Sequence, residues 1–304
     1  MKIWRALALA CAVALALSGC AASVPAAPDD RLSVQVAFYP FQFVAERVGG
    51  DAVRVTSLTA PGTEPHDLEL APRQVAALAT ADLVVYQSGF QPAVDTAIEQ
   101  AQPGRVIDTA SFLTMLTAEA DGEEHTATGV GSTDPHTWLD PSNMVTIAEH
   151  VRDALTQARP GQSATFAANT RQLVADLTAL DADIKADLSA CAITPFITSH
   201  AAFGYFAARY GLTQVGIRGL EPDVEPSASR IAEVQQIARD FHVTTIFFEA
   251  LVSPVVAQSV AGDLGLRTDV LDPLEGITAD SRGTDYLTVM RSNANSLKVA
   301  NQCS

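Results

Sequence analysis

The sequence is poor in most of what would suit it to nucleic acid, nucleotide or the membrane interior. Basic residues number 19 against 35 acidic ones, a formal net charge of −16. So acidic a chain repels phosphate backbones and anionic lipid headgroups and attracts cations, which excludes nucleic acid as a partner. No Walker-type glycine loop occurs, so nucleotide hydrolysis by that motif is excluded. Beyond the first seventeen residues no apolar run is long enough to span a bilayer. Cysteine is scarce, with four residues, and none stands in the close pairs of a thiolate zinc site. Histidine is also scarce, with six.

The opening residues, "MKIWRALALACAVALALSGC", place Lys2 and Arg5 before an apolar run from Ala6 to Leu17. That is a secretory signal, too short for a comfortable membrane span. Its Leu17-Ser18-Gly19-Cys20 ending resembles a bacterial lipobox, where cleavage leaves Cys20 at the new N-terminus to carry lipid. A plain leader cut nearby is the alternative. The expected layout is a signal peptide over 1–19 and a flexible Ala-, Pro- and acid-containing tether over 20–31. Loss of Lys2 and Arg5 with the leader takes the net charge to about −18. The remaining length is enough for two domains. Cys11 leaves with the leader, so Cys191 and Cys303 are the pair left in the body of the chain. Disulfides persist outside the cytoplasm, so the two are read either as a bridge tying the C-terminus to the start of the second half or as spare thiols.

Along the chain, short apolar runs alternate with helical patterns. "SVQVAFY", "AVRVTSLT", "DLVVYQS" and "RVIDT" read as strands in the first half, with "PFQFVAERVGG" and "APRQVAALATA" as helices between them. The second half repeats the plan. Its strands are "PFITS", "LTQVGI", "TTIFFEA" and "RTDVLD"; its helices are "AAFGYFAARYG", "ASRIAEVQQIARDF" and "PVVAQSVAGDLG". Such alternation indicates parallel βα units. Between the halves, Phe166, Thr170, Leu173, Leu177, Leu180, Ile184 and Leu188 recur at three- and four-residue steps. A helix over about 162–188 would be roughly 40 Å long, more than one small domain needs. The fold class expected is α/β, two lobes with mainly parallel sheets joined by one long rigid helix. The boundaries are 32–158 for the N-terminal lobe, 159–190 for the linking helix and 191–304 for the C-terminal lobe. The polar, acidic stretch over 114–133 reads as a mobile loop.

Four residues stand where open α/β sheets build ligand sites, at or just beyond strand ends: His66, His136, His200 and Asp272. Three imidazoles and one carboxylate suit a borderline divalent cation, and zinc takes four such ligands tetrahedrally. His136 lies in "STDPHTWLDP", where two Asp-Pro steps restrict the backbone and would hold its ring ready for a metal. Trp138 reads either as packing under that loop or as an ordinary core residue. A ligating histidine needs its second nitrogen oriented by an acceptor, and Asp67, Asp134 and Glu64 are candidates. Glu249 ends an apolar strand, where a buried acid needs a partner; it stands either near the pocket or at a helix cap. His125, His150 and His242 read as surface residues.

By spacing alone this set is weak. The chain resembles, however, the metal-binding solute-binding proteins of zinc and manganese ABC importers, the cluster A-I family of TroA-like and ZnuA-like proteins. The resemblance rests on "PHDLELAPRQVAALATADLVVYQ", "DPHTWLDP", "SHAAFGYFAARYGL" with the following "EPDVEPS", and "VLDPLEG". It implies metal ligation by His66, His136, His200 and Asp272. Manganese-type members resemble this chain except for a Glu in place of the third His, so His200 points to Zn(II), with Mn(II) open. Zinc-type relatives often carry a His-rich loop before the second ligand; here that loop has only His125, among Asp121, Glu123 and Glu124.

The resemblance further implies an extracytoplasmic, lipid-anchored, monomeric receptor that hands its ion to a cognate ABC-transporter permease, with no turnover. Four protein ligands leave zinc no open position to activate water. Three alternatives remain: a manganese or iron receptor, a surface adhesin, and a zinc hydrolase, for which a His-Glu-x-x-His pair is missing.

Overall fold

The computed structural model describes residues 30–117 and 133–304. The leader, Cys20, the tether up to residue 29 and the stretch carrying His125 lie outside them. The first half runs β1 (Leu32–Val36), α1 (Tyr39–Gly49), β2 (Val53–Ser57), α2 (Pro72–Ala79), β3 (Leu83–Tyr86), α3 (Pro92–Ala101), β4 (Val106–Asp108) and α4 (Pro141–Ala158). The helix α5 (Ser163–Asp187) follows. The second half runs β5 (Pro195–Thr198), α6 (Gly204–Tyr210), β6 (Thr213–Gly216), α7 (Ala228–Asp240), β7 (Thr245–Phe248), α8 (Val255–Leu264), β8 (Arg267–Val270) and α9 (Tyr286–Ala300).

Each half is built on a four-stranded sheet whose pairings are all parallel, in the order β2-β1-β3-β4 and β6-β5-β7-β8. The two sheets thus share one topology. Val34 pairs with Val55 and Leu83, and Ile197 with Val215 and Ile246. Central parallel strands are covered on both faces, which is why β3 and β5 read as unbroken buried runs rather than alternating ones. Proline opens α1, α2, α3 and α4 at the first turn, where its missing N–H is no loss. Gly211 and Gly265, both at positive φ, end α6 and α8.

The helix α5 buries Phe166, Thr170, Leu173, Leu177, Leu180 and Ile184, the stripe that the spacing predicts. It packs on α1 and α4 from the first half and on α9 from the second. Each fully buried Leu or Phe of such a stripe contributes about 1.5–3 kcal/mol relative to exposure. Three helices, α3, α4 and α9, lie where the patterns above suggest no element. The last of them closes the fold. Cys303 just beyond α9 is disulfide-bonded to Cys191 just before β5, and Asn301 donates its side-chain amide to the carbonyls of Ile193 and Pro195.

Candidate metal centre

Loops at the C-terminal ends of the strands carry the site, and buried amides hold two of those loops in shape. Gln87, just after β3, donates to the Pro135 carbonyl and accepts from the hydroxyls of Thr109 at 3.1 Å and Thr137 at 2.5 Å. Four residues later Gln91 donates to the Pro65 carbonyl and the Thr59 hydroxyl, each at 3.0 Å. The two glutamines fix the segments that present His136 and His66. Trp138 is fully buried against Phe38 and Phe90, and its indole N–H donates to the Pro273 carbonyl at 2.7 Å. That bond ties the "DPHTW" loop to the "DPLEG" turn, 135 residues away.

His66, His136 and His200 converge, all at 5% exposure or less. The carboxylate that meets them is Glu275, from the turn after β8, also buried. Its Oε1 stands 3.4 Å from His66 Nε2, 3.5 Å from His136 Nε2 and 3.7 Å from His200 Nε2; the last two nitrogens are 3.3 Å apart. Four ligand atoms about 2.0–2.1 Å from one tetrahedral ion would lie roughly 3.3–3.4 Å from each other. The observed spacings are close to that. Among the described residues, neither Glu275 oxygen nor His66 Nε2 has a hydrogen-bond partner, although buried polar atoms ordinarily have one. The donor set is thus arranged for a cation rather than for mutual hydrogen bonding.

Each imidazole turns its other nitrogen to a carboxylate. His136 Nδ1 meets Asp134 Oδ1 at 2.8 Å, and the same oxygen accepts the His136 backbone N–H at 2.9 Å. His200 Nδ1 meets Glu249 Oε1 at 2.7 Å, and the Ser199 hydroxyl donates to the same oxygen. His66 Nδ1 lies 3.3 Å from Glu221 Oε2, while its backbone N–H donates to Glu64 at 3.0 Å. A carboxylate acceptor at Nδ1 keeps one ring proton there, so that an arriving ion takes Nε2 and displaces any proton it carries. Electrostatics follow the same pattern. Burial would lower the His66 pKa, but Glu221 and Glu275 outweigh it and raise it to about 10. Burial likewise opposes a charged His136, and Asp134 and Glu275 turn its shift upward. Burial would raise Glu275, yet His136 and His66 hold its carboxyl well below the usual range.

The expectation for Asp272 requires correction. Its carboxylate does not join the imidazoles: Oδ1 accepts the Leu274 N–H at 2.8 Å, closing a turn back on its own backbone. Its N–H and carbonyl are both paired with the Asn293 side chain of α9. Burial raises the Asp272 pKa to about 6. Leu274 sits at φ 61, an unfavourable region for a side chain bearing Cβ, and this sharp bend presents Glu275 one residue later. Asp272 therefore shapes the turn, and Glu275 faces the site.

Among the suggested orienting acids, Asp134 and Glu249 contact ring nitrogens, whereas Asp67 is exposed and lies in a group with Glu64 and Asp223. Glu221, Gln87, Gln91 and Asn293 carry no sequence signal of their own. His150 stacks on Phe112 at 3.8 Å and His242 is exposed.

Comparison with known proteins finds zinc-binding relatives. Residues 34–300 match the family model ZnuA, the periplasmic component A of the zinc-uptake complex. The zinc-binding lipoprotein AdcA of Streptococcus pneumoniae TIGR4 is 34% identical over 96% of this chain, which spans 60% of that relative's length. The high-affinity zinc uptake system protein ZnuA of Bacillus subtilis is 31% identical over 98% of this chain and 97% of its own. The crystal structure of the Zn(II)-bound ZnuA-like domain of Streptococcus pneumoniae AdcA superposes with a TM-score of 0.75 at 33% identity, covering 89% of this chain and 99% of that one.

Proposed function

The chain belongs to the zinc-uptake component A family, and from that premise we propose that it is an extracytoplasmic receptor that binds Zn(II) and delivers it to an ABC-importer permease. Residues 32–158 and 191–304 form its two lobes, with 159–190 between them. Lipid on Cys20 anchors the chain, and it works as a monomer. The ion is cargo, held by His66, His136, His200 and Glu275, and is released unchanged.

One observation carries this reading. Three buried imidazoles, each with a carboxylate at Nδ1, aim Nε2 at a common point beside a buried carboxylate that has no hydrogen-bond partner among the described residues. Nitrogen-rich, tetrahedral ligation favours zinc over manganese, which prefers more oxygen donors. Four protein ligands also complete the zinc coordination, so no position is left on the ion for a reacting water.

The test is a metal analysis of the chain from Ala21 onward, purified without added metal, followed by competition of Zn(II) and Mn(II) against a chromogenic chelator. One equivalent of zinc held against the chelator, with manganese lost to it, is the expected result. Tight manganese binding would redirect the reading to a manganese receptor, and absence of any tight binding would overturn it.

A further inference from the structure

The three imidazoles are not supported alike. Asp134 stands two residues from His136 in the same buried loop, and its side chain is 6% exposed. Glu249 directly follows β7, which pairs with β5, and His200 lies two residues beyond β5; the Glu249 side chain is 2% exposed. Both supports are dry and belong to the half that carries the ring they hold. Glu221 differs on each point. It comes from the loop after β6, in the second half, whereas His66 follows β2 in the first. Its side chain is 45% exposed, and its 3.3 Å approach is the longest of the three. His66 Nε2, in turn, has no hydrogen-bond partner among the described residues.

We propose that Glu221 is the positioning residue for His66 and that its contact across the two halves sets how fast the bound ion leaves. This rests on the reading of the four-residue centre as the zinc site. Without an acceptor at Nδ1, the His66 ring keeps its packing against Phe90 but loses the contact that fixes its orientation, and its bond to the ion weakens. Water can compete for an exposed carboxylate and cannot compete for one 2–6% exposed, so His66 is the ligand whose orientation is weakest. It is also the ligand held from the opposite half, so a relative movement of the halves acts on it first. Removing an outer partner of a metal-bound histidine generally costs about 10–100-fold in affinity. For Glu221 the loss is expected in the dissociation rate.

The experiment uses the purified full chain in detergent, loaded with Zn(II) and mixed with excess chelator, so that zinc loss is followed in time. Glu221→Ala should speed dissociation at least about tenfold. Glu221→Gln, whose amide oxygen can still accept from Nδ1–H, should stay within about threefold of the parent. The far-ultraviolet circular dichroism of the metal-free protein should match in all three, and the metal-free melting temperature should fall alike in Glu221→Ala and Glu221→Gln, since both remove the charge that helps to raise the His66 pKa. Cobalt(II) absorption should keep its four-coordinate intensity in Glu221→Gln and lose part of it in Glu221→Ala. Parent-like dissociation in Glu221→Ala, or a Glu221→Gln variant as fast as Glu221→Ala, would overturn the proposal. Failure of the parent itself to hold zinc would instead overturn the site on which it rests.

Discussion

Asp272 and Glu275 share one turn, three residues apart, yet turn their carboxylates to different tasks. Asp272 accepts the Leu274 N–H at 2.8 Å, and Glu275 stands 3.4–3.7 Å from the Nε2 atoms of three imidazoles. Two substitutions separate shaping from ligation. Glu275→Ala removes the proposed fourth ligand and should lower zinc affinity by several orders of magnitude while the metal-free fold persists. Asp272→Asn keeps an oxygen that can accept from Leu274 and removes a buried acid whose pKa is raised to about 6, so it should bind zinc within about tenfold of the parent. Chelator competition on both variants decides the matter; the reverse order of effects would return Asp272 to the ligand set.

This pair also shows how far the sequence is legible. Periodicity gives the strands, the α5 stripe and the duplication of one α/β plan, because burial on both faces or on one helical stripe leaves a local pattern. His66, His136 and His200 are rare and fall at or beyond strand ends, the first two in Pro-containing turns, but by spacing alone they are a weak set, and it is the resemblance to metal-binding receptors that singles them out as ligands. The choice between Asp272 and Glu275 is not local. Both lie in "DPLEG", and what divides them is the positive φ at Leu274 together with the Asn293 side chain on α9. Gln87, Gln91 and Glu221 are illegible for a similar reason. Their partners lie 22 to 155 residues away, and glutamine or glutamate in a loop is ordinarily a solvated residue. The helices α4 and α9 are amphipathic and capped by Asp140 and Asp285, local signals that the reading of the sequence above does not use.

Zinc capture should release protons. The His66 pKa of about 10 lies above the ordinary histidine value of 6.5, so its ring carries a proton at pH 7 in the metal-free protein, and the ion must displace it. Calorimetry in buffers of different ionisation heat should give release of about one proton or more per zinc at pH 7, and affinity should fall as the pH is lowered. The metal-free fold has the opposite dependence. A folded pKa raised above the unfolded value contributes stability that is complete below about pH 6.5 and lost as the pH rises through about 10. Heat signals independent of the buffer would contradict the His66 assignment.

The Cys191–Cys303 bridge spans 112 residues and closes the whole second half between α5 and the C-terminus. In the chain-entropy account, a loop of this size contributes about 4.7 kcal/mol by restricting the unfolded chain. The double substitution Cys191→Ser, Cys303→Ser should therefore lower stability by about 2–5 kcal/mol in denaturant titrations. Zinc affinity under native conditions should hold, because the bridge lies at the strand starts and the site at the strand ends. Intact stability in the double variant would place the constraint instead in the Asn301 contacts to Ile193 and Pro195.

Gly204, the first residue of α6, marks a point where the second half presses on the support of His136. A Cβ at this position would lie 2.4 Å from Asp134 Oδ2, a separation that forces something to move. The next residue, Tyr205, donates its hydroxyl to the Asp134 carbonyl at 2.9 Å and accepts the Leu116 N–H at 2.8 Å, so the backbone at Asp134 is pinned. The side chain must then give way, and with it the oxygen that holds His136 Nδ1 at 2.8 Å. Gly204→Ala should accordingly weaken zinc binding about 10–100-fold, the range for loss of an outer partner of a metal-bound histidine. Alanine is a good helix former, so the far-ultraviolet circular dichroism of the metal-free variant should match the parent. Unchanged zinc affinity with an unchanged fold would mean that Asp134 has a second resting place from which it still reaches His136.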